Sequence, residues 1–257
     1  MILELAILVG IIVFVHWWEY RSSIQEYVFA QPATLERHAE LCGLIKEKLP
    51  IAVEVESLPW RPAIAEKASW SVQTPDGIIP ASEWTTSIKP ILNGGVLASE
   101  MDIQMGLADI DAARPWWWMP GIHDIRVDIL NSNEVMNLSW VSAERRWIGC
   151  SFGTPVTVWL VHSRYRSFLP SPSSSNPINP WTLTVAEAPW IGRVQFVEVL
   201  VKPGWCLGIP AHWGFAGKTG VEVEVEVEAD SNSSNSSNSW IWTADQHSLC
   251  SFVLSKQ

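Results

Sequence analysis

The stretch VEVLVKPGWCLGIPAHWGF, residues 197–215, decides the fold. Valines at every second position from 197 to 201 indicate a strand with one apolar face. Pro203 and Gly204 then form a turn, because proline fixes φ and glycine accepts a positive φ. A second apolar strand, Trp205–Ile209, follows and ends at a proline. Strand, turn and strand within so few residues predict an antiparallel β structure.

The same signals recur along most of the chain. Residues 221–228, VEVEVEVE, alternate strictly, and their acidic side is most simply a solvated sheet surface. The other predicted strands are residues 51–55, 125–129, 135–141, 147–152, 156–161, 240–242 and 249–254. Many short strands separated by Pro/Gly turns predict a mainly β sandwich or barrel.

The N-terminal segment predicts a membrane anchor. Residues 1–18, MILELAILVGIIVFVHWW, contain an uninterrupted apolar run from Leu5 to Val15, followed by aromatic residues typical of a membrane interface. The segment approaches the ~20 residues that span a bilayer, at the short end and with Glu4 inside it. A signal peptide is disfavoured because no basic region precedes the apolar run. A buried helix of the domain is the alternative.

The side of the membrane stays open. Arg21 and Arg37 follow the apolar segment with nothing basic before it, which favours a cytosolic domain. Acceptor sequons at residues 137–139, 232–234 and 235–237 are usable only in a lumenal domain.

The chain divides into an anchor, a helical segment and a β domain. Residues 34–48, TLERHAELCGLIKEK, have a helical apolar stripe, so residues 19–49 are predicted as a juxtamembrane helical segment. Residues 50–257 form the β domain, in which the Ser/Asn-rich residues 230–239 are a loop.

Composition excludes several classes of function. The formal charge is -10 with no basic run, which disfavours nucleic-acid binding. Four dispersed cysteines without a CxxC pair argue against zinc and imply no disulfide framework. Seventeen tryptophans indicate many half-buried rings. The cluster Trp116-Trp117-Trp118 is interpreted as packing, with a stacking platform for carbohydrate or nucleic-acid bases as the alternative.

Three segments together resemble a known family. They are Trp60-Arg61-Pro62-Ala63 with Trp70, GTPVTVWLVHSRYRSFLP at residues 153–170, and VKPGWCLGIPAHWGF at residues 201–215. In this order they resemble the cupin-like, JmjC-related double-stranded β-helix proteins, whose active members are iron- and 2-oxoglutarate-dependent hydroxylases. The resemblance covers roughly residues 50–215. It implies a double-stranded β-helix, or jelly roll, and the short helix predicted from residues 34–48 would precede it.

The resemblance also implies where metal ligands would lie, and the residues there cannot bind iron. The His-x-Asp position falls on Trp140 and Ser142, and the distal histidine position falls on Phe215. The basic residue that would hold the oxo-acid falls near Pro155. Because an indole, a hydroxyl and a phenyl group cannot replace imidazole and carboxylate, we expect a degenerate pocket filled by Trp140 and Phe215.

Displaced residues offer an alternative metal site. The candidates are His123, Asp124, Asp128, His162 and His212. His123 and Asp124 are adjacent, so on a regular strand they point to opposite faces. His162 and His212 are more simply structural histidines.

The sequence therefore predicts a membrane-anchored, non-catalytic jelly roll, a pseudoenzyme without a cofactor. Its partners would be a lipid bilayer, through residues 1–18, and other proteins, as in a structural component or a viral membrane or capsid protein. The alternatives are a divergent hydroxylase that uses Fe²⁺ and 2-oxoglutarate at a rebuilt site, and a jelly roll that binds a small ligand or a glycan.

Overall fold

Eight strands that alternate between two facing sheets dominate the structure. The computed structural model describes residues 2–21, 31–34, 38–54, 71–74, 77–80, 107, 110–112, 121–130, 134–152, 155–172, 177–219, 239–248 and 251. Its helices are α1 (Ile2–Arg21) and α2 (His38–Lys46). Its strands are β1 (Gln31–Thr34), β2 (Ile51–Glu54), β3 (Ser71–Thr74), β4 (Gly77–Pro80), β5 (Gly121–Leu130), β6 (Val135–Trp140), β7 (Arg145–Phe152), β8 (Val156–Val161), β9 (Phe196–Val201), β10 (Trp205–Pro210), β11 (Gly214–Thr219) and β12 (Ser239–His247).

The strand order is that of a jelly roll. One sheet has the order β1-β2-β10-β7-β12-β5, and the other has the order β6-β11-β8-β9. The antiparallel pairs β8–β9, β7–β10, β6–β11 and β5–β12 are nested, as when one long hairpin is rolled up. Two antiparallel sheets with this order define a double-sheet jelly roll, the architecture of cupins. The predicted mainly β jelly roll is therefore confirmed.

The main core lies between the two sheets. Ile148 on β7, Leu207 on β10 and Ile241 on β12 face Val158 on β8 and Phe215 on β11. Alternate residues of a strand share a face, so the period-2 apolar pattern fills this space from both sides. Fully burying one such side chain contributes roughly 1.5–3 kcal/mol, which makes this core the main source of stability.

The outer face of the larger sheet is also buried. Trp242 lies over Gly149 and Trp147 lies over Gly208, so close that a Cβ on either glycine would meet the ring within 3 Å. Arg145 lies on the same face and is 1% exposed. Its guanidinium donates to the carbonyl oxygens of Ile45 and Leu49, which ties the end of α2 to β7.

The outer face of the smaller sheet carries a second apolar cluster. Residues 163–172 and 177–194, which include 3₁₀ helices at Ser163–Phe168 and Ile191–Arg193, lie against it. Leu138 and Val161 pack there with Leu169 and Ile178. This segment covers the sheet where β6 and β8 present apolar side chains outward.

Several predicted boundaries were wrong. Thr34 belongs to β1, which pairs in parallel with β2, so the helix begins after it. The predicted strand at residues 240–242 continues as β12 to His247, and Ser251 is helical rather than extended. Residues 214–219 were not predicted as a strand but form β11. The VEVEVEVE run, the tryptophans 116–118 and residues 230–238 of the predicted loop lie outside the described residues, and Ser239, the last residue of that loop, begins β12.

The predicted N-terminal helix exists as α1. Its apolar side chains are exposed at every position from Ile7 to Val15 except the glycine, at 45% to 57%. Among the residues that the structure describes, no helix combines the length and the apolarity that crossing a membrane requires.

Candidate functional site

Three potential metal ligands meet where β5, β12 and β7 lie side by side. Asp245 and His247 are two residues apart on β12 and share its inward face with Ile241. Asp124 comes from β5. One ligand atom from each of these three residues lies within 4.8 Å of the others. Strand alternation on β12 thus places a carboxylate and an imidazole at one end of the core.

A β-bulge brings Asp124 into the group. The pairing of β5 with β12 shifts between Thr243 and Asp245, so that β5 carries one extra residue there. Asp124 has a φ of 51°, in the left-handed region that aspartate tolerates better than most residues. His123, the neighbour of Asp124, pairs with Asp245. On a regular strand, Asp124 would point to the face opposite that of His123. The bulge therefore positions its carboxylate beside Asp245 and His247.

Arg146 closes this group from β7. Its Nε and Nη2 donate to the two carboxylate oxygens of Asp245, both at 2.6 Å. Its guanidinium carbon lies 5.5 Å from the centroid of the Phe215 ring on the opposite sheet. Burial alone would lower the pKa of Arg146, but the hydrogen bond and charge of Asp245, with the charge of Asp124, raise it. Arg146 is therefore a fixed cation between the two sheets.

A buried polar network continues from His247. The Ser251 hydroxyl lies 3.4 Å from Nδ1 of His247, and the Ser248 hydroxyl donates to a Glu144 carboxylate oxygen at 3.1 Å. Ser251 is 0% exposed and His247 is 2% exposed. A serine beside a histidine resembles a nucleophile with its base, yet a nucleophile must reach its substrate. The complete burial of Ser251 makes this network structural.

The donor set fits a divalent metal ion that would share Asp245 with Arg146. Two carboxylates and one imidazole are ligands that several divalent transition metals accept. Both oxygens of Asp245 already receive hydrogen bonds from Arg146. With both carboxylates ionised, Arg146 neutralises one of the two negative charges. A bound cation would offset the remaining charge.

The structure separates two residues that the sequence placed in one pocket. Phe215 belongs to the core between the sheets. Trp140 packs on the outer cluster, and its ring lies where a Cβ of Gly214 would point. Since Gly214 and Phe215 are neighbours in β11, their side-chain directions are opposite. The expectation that Trp140 and Phe215 fill one pocket is therefore wrong.

The other two degenerate positions do not join Phe215 either. Ser142 is exposed in the connection between β6 and β7. Pro155 lies just before Val156, whereas Phe215 pairs with Leu160 near the far end of β8. Leu160 lies five positions after Pro155 along the chain, or ~16 Å. These four residues line different parts of the fold.

Of the five displaced metal candidates, Asp124 alone belongs to a group of ligands in the described part of the chain. The backbones of His123 and Asp128 lie in β5, opposite Asp245 and Ile241. Nδ1 of His162 accepts a hydrogen bond from the backbone N–H of Arg164, which caps a 3₁₀ helix. The ring of His162 packs edge-on against Trp213 at 4.9 Å between centroids, and His212 lies in a turn with φ 66°.

Sequence reasoning missed Arg146, Asp245 and His247. The available signal was Asp245-Gln246-His247, a carboxylate and an imidazole two residues apart on a strand. It follows a β signal at residues 240–242 that ends too early to include it. Nothing local links this tripeptide with Arg146, because their contact depends on strand pairing 99 residues apart.

No family model matches the sequence, and no curated protein matches it. Among solved structures, the chain is similar to procruciferin, the 11S globulin from Brassica napus, at 10% identity and a TM-score of 0.25. It is also similar to the 11S globulin from Wrightia tinctoria, at 10% identity and a TM-score of 0.26.

These matches cover 48% and 49% of this chain but 21% and 20% of the globulin chains. The chain therefore spans about a fifth of the length of these globulins. The jelly roll is defined by the order and pairing of β5 to β12.

Proposed function

We propose that this protein is a non-catalytic jelly roll that α1 attaches to a lipid bilayer, where the β domain serves as a structural or interaction module. The observation that carries the proposal is the exposed apolar surface of α1. From Ile7 to Val15 each non-glycine side chain is apolar and 45% to 57% exposed. Successive residues of a helix lie ~100° apart, so this run covers all sides of α1.

A helix that is apolar on all sides needs an apolar surrounding. In soluble proteins such helices lie inside a large core, and in membranes they face lipid. The aromatic residues at the end of α1 support the second environment. Trp17 and Trp18 lie beside Phe14, at 6.1 and 6.2 Å between ring centroids. Tryptophan favours the boundary between lipid tails and water, so this end of α1 would lie at the membrane surface.

The length of the apolar run defines the depth of attachment. The uninterrupted residues Leu5–Val15 are 11 positions of α1, or ~16 Å at a rise of ~1.5 Å per residue. That length reaches about half of a hydrocarbon core ~30 Å thick. We infer that α1 embeds in the bilayer and that the jelly roll stays in water.

The interior of the jelly roll supports a non-catalytic role. Phe215 occupies the inward face of β11, where the family resemblance implies a distal metal-binding histidine. The charged end of the core is occupied by the Arg146–Asp245 ion pair, and the neighbouring Ser251 is completely buried. We infer a divergent relative of the iron- and 2-oxoglutarate-dependent hydroxylases, in which a core side chain occupies the position of a metal ligand.

The test is flotation of the full-length protein with phosphatidylcholine vesicles. We expect the wild type to float with the vesicles and Ile12→Glu to remain in the dense fraction, because a charge on the embedded helix is costly. Asn137→Asp is the matched control, since it adds the same charge at an exposed position of β6 on the jelly roll. Wild-type protein that stays in the dense fraction, or equal loss in both variants, would refute attachment through α1.

A second candidate function is binding of a divalent metal ion by Asp124, Asp245 and His247. The close approach of their ligand atoms favours it. Elemental analysis of the purified full-length protein would show one metal ion per chain, and Asp124→Asn would lower that content. His212→Gln is the control, because His212 lies outside the group. Metal-free wild type that gains no thermal stability from added Fe²⁺, Mn²⁺ or Zn²⁺ would exclude this function.

A further inference from the structure

Four cations stack on aromatic rings at the outer side of the smaller sheet, and we name them the basic face. They are Arg164, Arg166, Arg193 and Lys218. Their charged groups lie over the rings of Tyr165, Trp140, Trp190 and Trp181, at 4.6, 5.2, 4.6 and 5.8 Å from the ring centroids. We propose that the basic face binds the headgroups of anionic lipids, an inference that rests on the proposed attachment through α1.

The four cations belong to one side of the jelly roll. Lys218 points outward from β11, since Phe215 three residues earlier faces the core and successive residues alternate. Trp140 and Tyr165 both pack against the outer apolar cluster. Ile191 packs there as well, between Trp190 and Arg193 in the chain. The basic face is thus built on the same sheet surface that residues 163–172 and 177–194 cover.

The charge of the basic face is available to an outside partner. Arg164, Arg166 and Arg193 are exposed, and Lys218 is half-buried. Within the part of the chain that the structure describes, no carboxylate lies within 4 Å of any of the four cations. Arginines that already stack on a ring lose less conformational freedom when they bind an anion.

This charge runs against the charge of the whole chain. Residues 162–219 contain five Lys or Arg and two Glu, whereas the complete chain has 17 basic and 27 acidic residues. Glu187 and Glu198, the two acidic residues of the segment, accept hydrogen bonds from Thr184 and from the Trp159 indole. Although the chain as a whole is acidic, this surface therefore attracts anionic partners.

The apolar groups beside the cations favour lipid over a soluble polyanion. Trp190 is 51% exposed and Val185 is 67% exposed, both in the connection that ends at Arg193. Exposed tryptophan next to arginine suits the headgroup region, where the ring meets apolar chains and the cation meets phosphate. A lipid surface would therefore satisfy both components of this patch.

The experiment compares vesicles of pure phosphatidylcholine with vesicles that contain about a third phosphatidylserine, using the full-length chain. We expect the wild type to bind the anionic vesicles up to roughly 600-fold more tightly, since each of the four cations adds roughly 5-fold. Arg193→Gln should reduce the preference by roughly 5-fold. Lys202→Gln, which removes an exposed charge outside the basic face, should leave it unchanged.

The two proposals fail in different ways. Equal binding of wild type to neutral and anionic vesicles overturns the basic face and leaves attachment through α1 intact. Binding to anionic vesicles alone, unchanged by Ile12→Glu and reduced by Arg193→Gln, supports the basic face and refutes α1. If Arg193→Gln and Lys202→Gln lowered the preference for anionic vesicles equally, net charge alone would explain that preference. This result would overturn the inference. So would tight binding of a soluble sulfated polysaccharide without any vesicle preference.

Discussion

Arg146 and Asp245 form a two-pronged ion pair between β7 and β12, inside the jelly roll and beneath the Phe215 ring. The two N–H···O distances are both 2.6 Å, and the side chains are 25% and 13% exposed. Charge-assisted bonds of this planar form are among the strongest in proteins. The ion pair places opposite charges at the end of an apolar core, where either charge alone would be unfavourable.

Removing the charge of Asp245 should destabilise the fold. We expect Asp245→Asn to lower the free energy of unfolding by about 2–3 kcal/mol, because Arg146 would keep a largely buried charge without its partner. Urea denaturation of the full-length protein measures the change. Glu198→Gln is the control on an exposed strand position, with an expected change below about 0.5 kcal/mol.

The double variant Arg146→Gln/Asp245→Asn distinguishes the ion pair from general polar packing. We expect the double variant to lose less free energy of unfolding than the two single variants lose together. The difference, the coupling energy, should be about 1–3 kcal/mol. Additive losses would show that the two charges act independently.

Gly149 should tolerate no side chain. A Cβ there would overlap the ring of Trp242, a residue that is 1% exposed. We expect Gly149→Ala to destabilise the protein by about 3 kcal/mol or more through overpacking. Thermal and urea unfolding measure the loss.

Gly43 provides the matched substitution in α2. A Cβ added at this helix position would meet no atom within 4 Å. Gly43→Ala should therefore stabilise the protein by about 0.5–1 kcal/mol, since alanine favours the helix. Similar effects at both glycines would contradict the packing of Trp242 on β7.

Local sequence patterns predict most of the strands, but they do not predict β11. Strand β8, PVTVWLV in the sequence, has strong β-branched content and was predicted with the observed bounds. Strand β11, GFAGKT, has small residues and no clear alternation. It is a strand because β6 and β8 pair with it on both sides, and because Gly214 leaves space for Trp140. Such partners are far apart in sequence.

The candidate site was predictable to a smaller extent. Asp124 was named from its chemistry alone, yet its position depends on a bulge that the sequence does not show. Asp245 and Arg146 are ordinary surface residue types whose meeting requires the register of β7 with β12. The family resemblance directed attention to Trp140 and Ser142 instead. Long-range register, which no short motif encodes, decides which side chains share this end of the core.

The fold should require a guanidinium group at Arg145 and not only a positive charge. Its guanidinium donates to the carbonyl oxygens of Ile45, Leu49 and Gly208, at 3.1, 2.8 and 3.2 Å. Burial lowers the pKa of Arg145, and the charge of Glu144 opposes that effect. A lysine has one compact ammonium group and cannot reach three carbonyls in a plane.

We therefore expect Arg145→Lys to lose about 2 kcal/mol of stability although the charge is kept. Hydrogen exchange should show the backbone amides of α2 opening more readily in this variant. Lys202→Arg is the reciprocal control at an exposed position and should change stability by less than about 0.5 kcal/mol. Unchanged protection of α2 would contradict the role of Arg145 in holding this helix.

Cys150 and Cys206 should resist alkylation in the folded protein. Both are 1% exposed, and burial raises the pKa of Cys150 to about 12 and that of Cys206 further still. The thiolate is the reactive form, so near pH 8 Cys150 should react with iodoacetamide roughly 1000-fold more slowly than in the unfolded chain. Peptide mass spectrometry with and without urea measures both rates.

The same raised pKa sets the sign of a pH dependence. Between pH 9, the ordinary thiol value, and about 12 the unfolded chain has released the Cys150 proton while the folded chain keeps it. Because the folded state then binds more protons, its stability falls as pH rises, by up to ~1.4 kcal/mol per pH unit. Cys150→Ala should show a shallower loss of stability than wild type above about pH 9. Parallel curves for the two proteins would place the Cys150 thiol in contact with water.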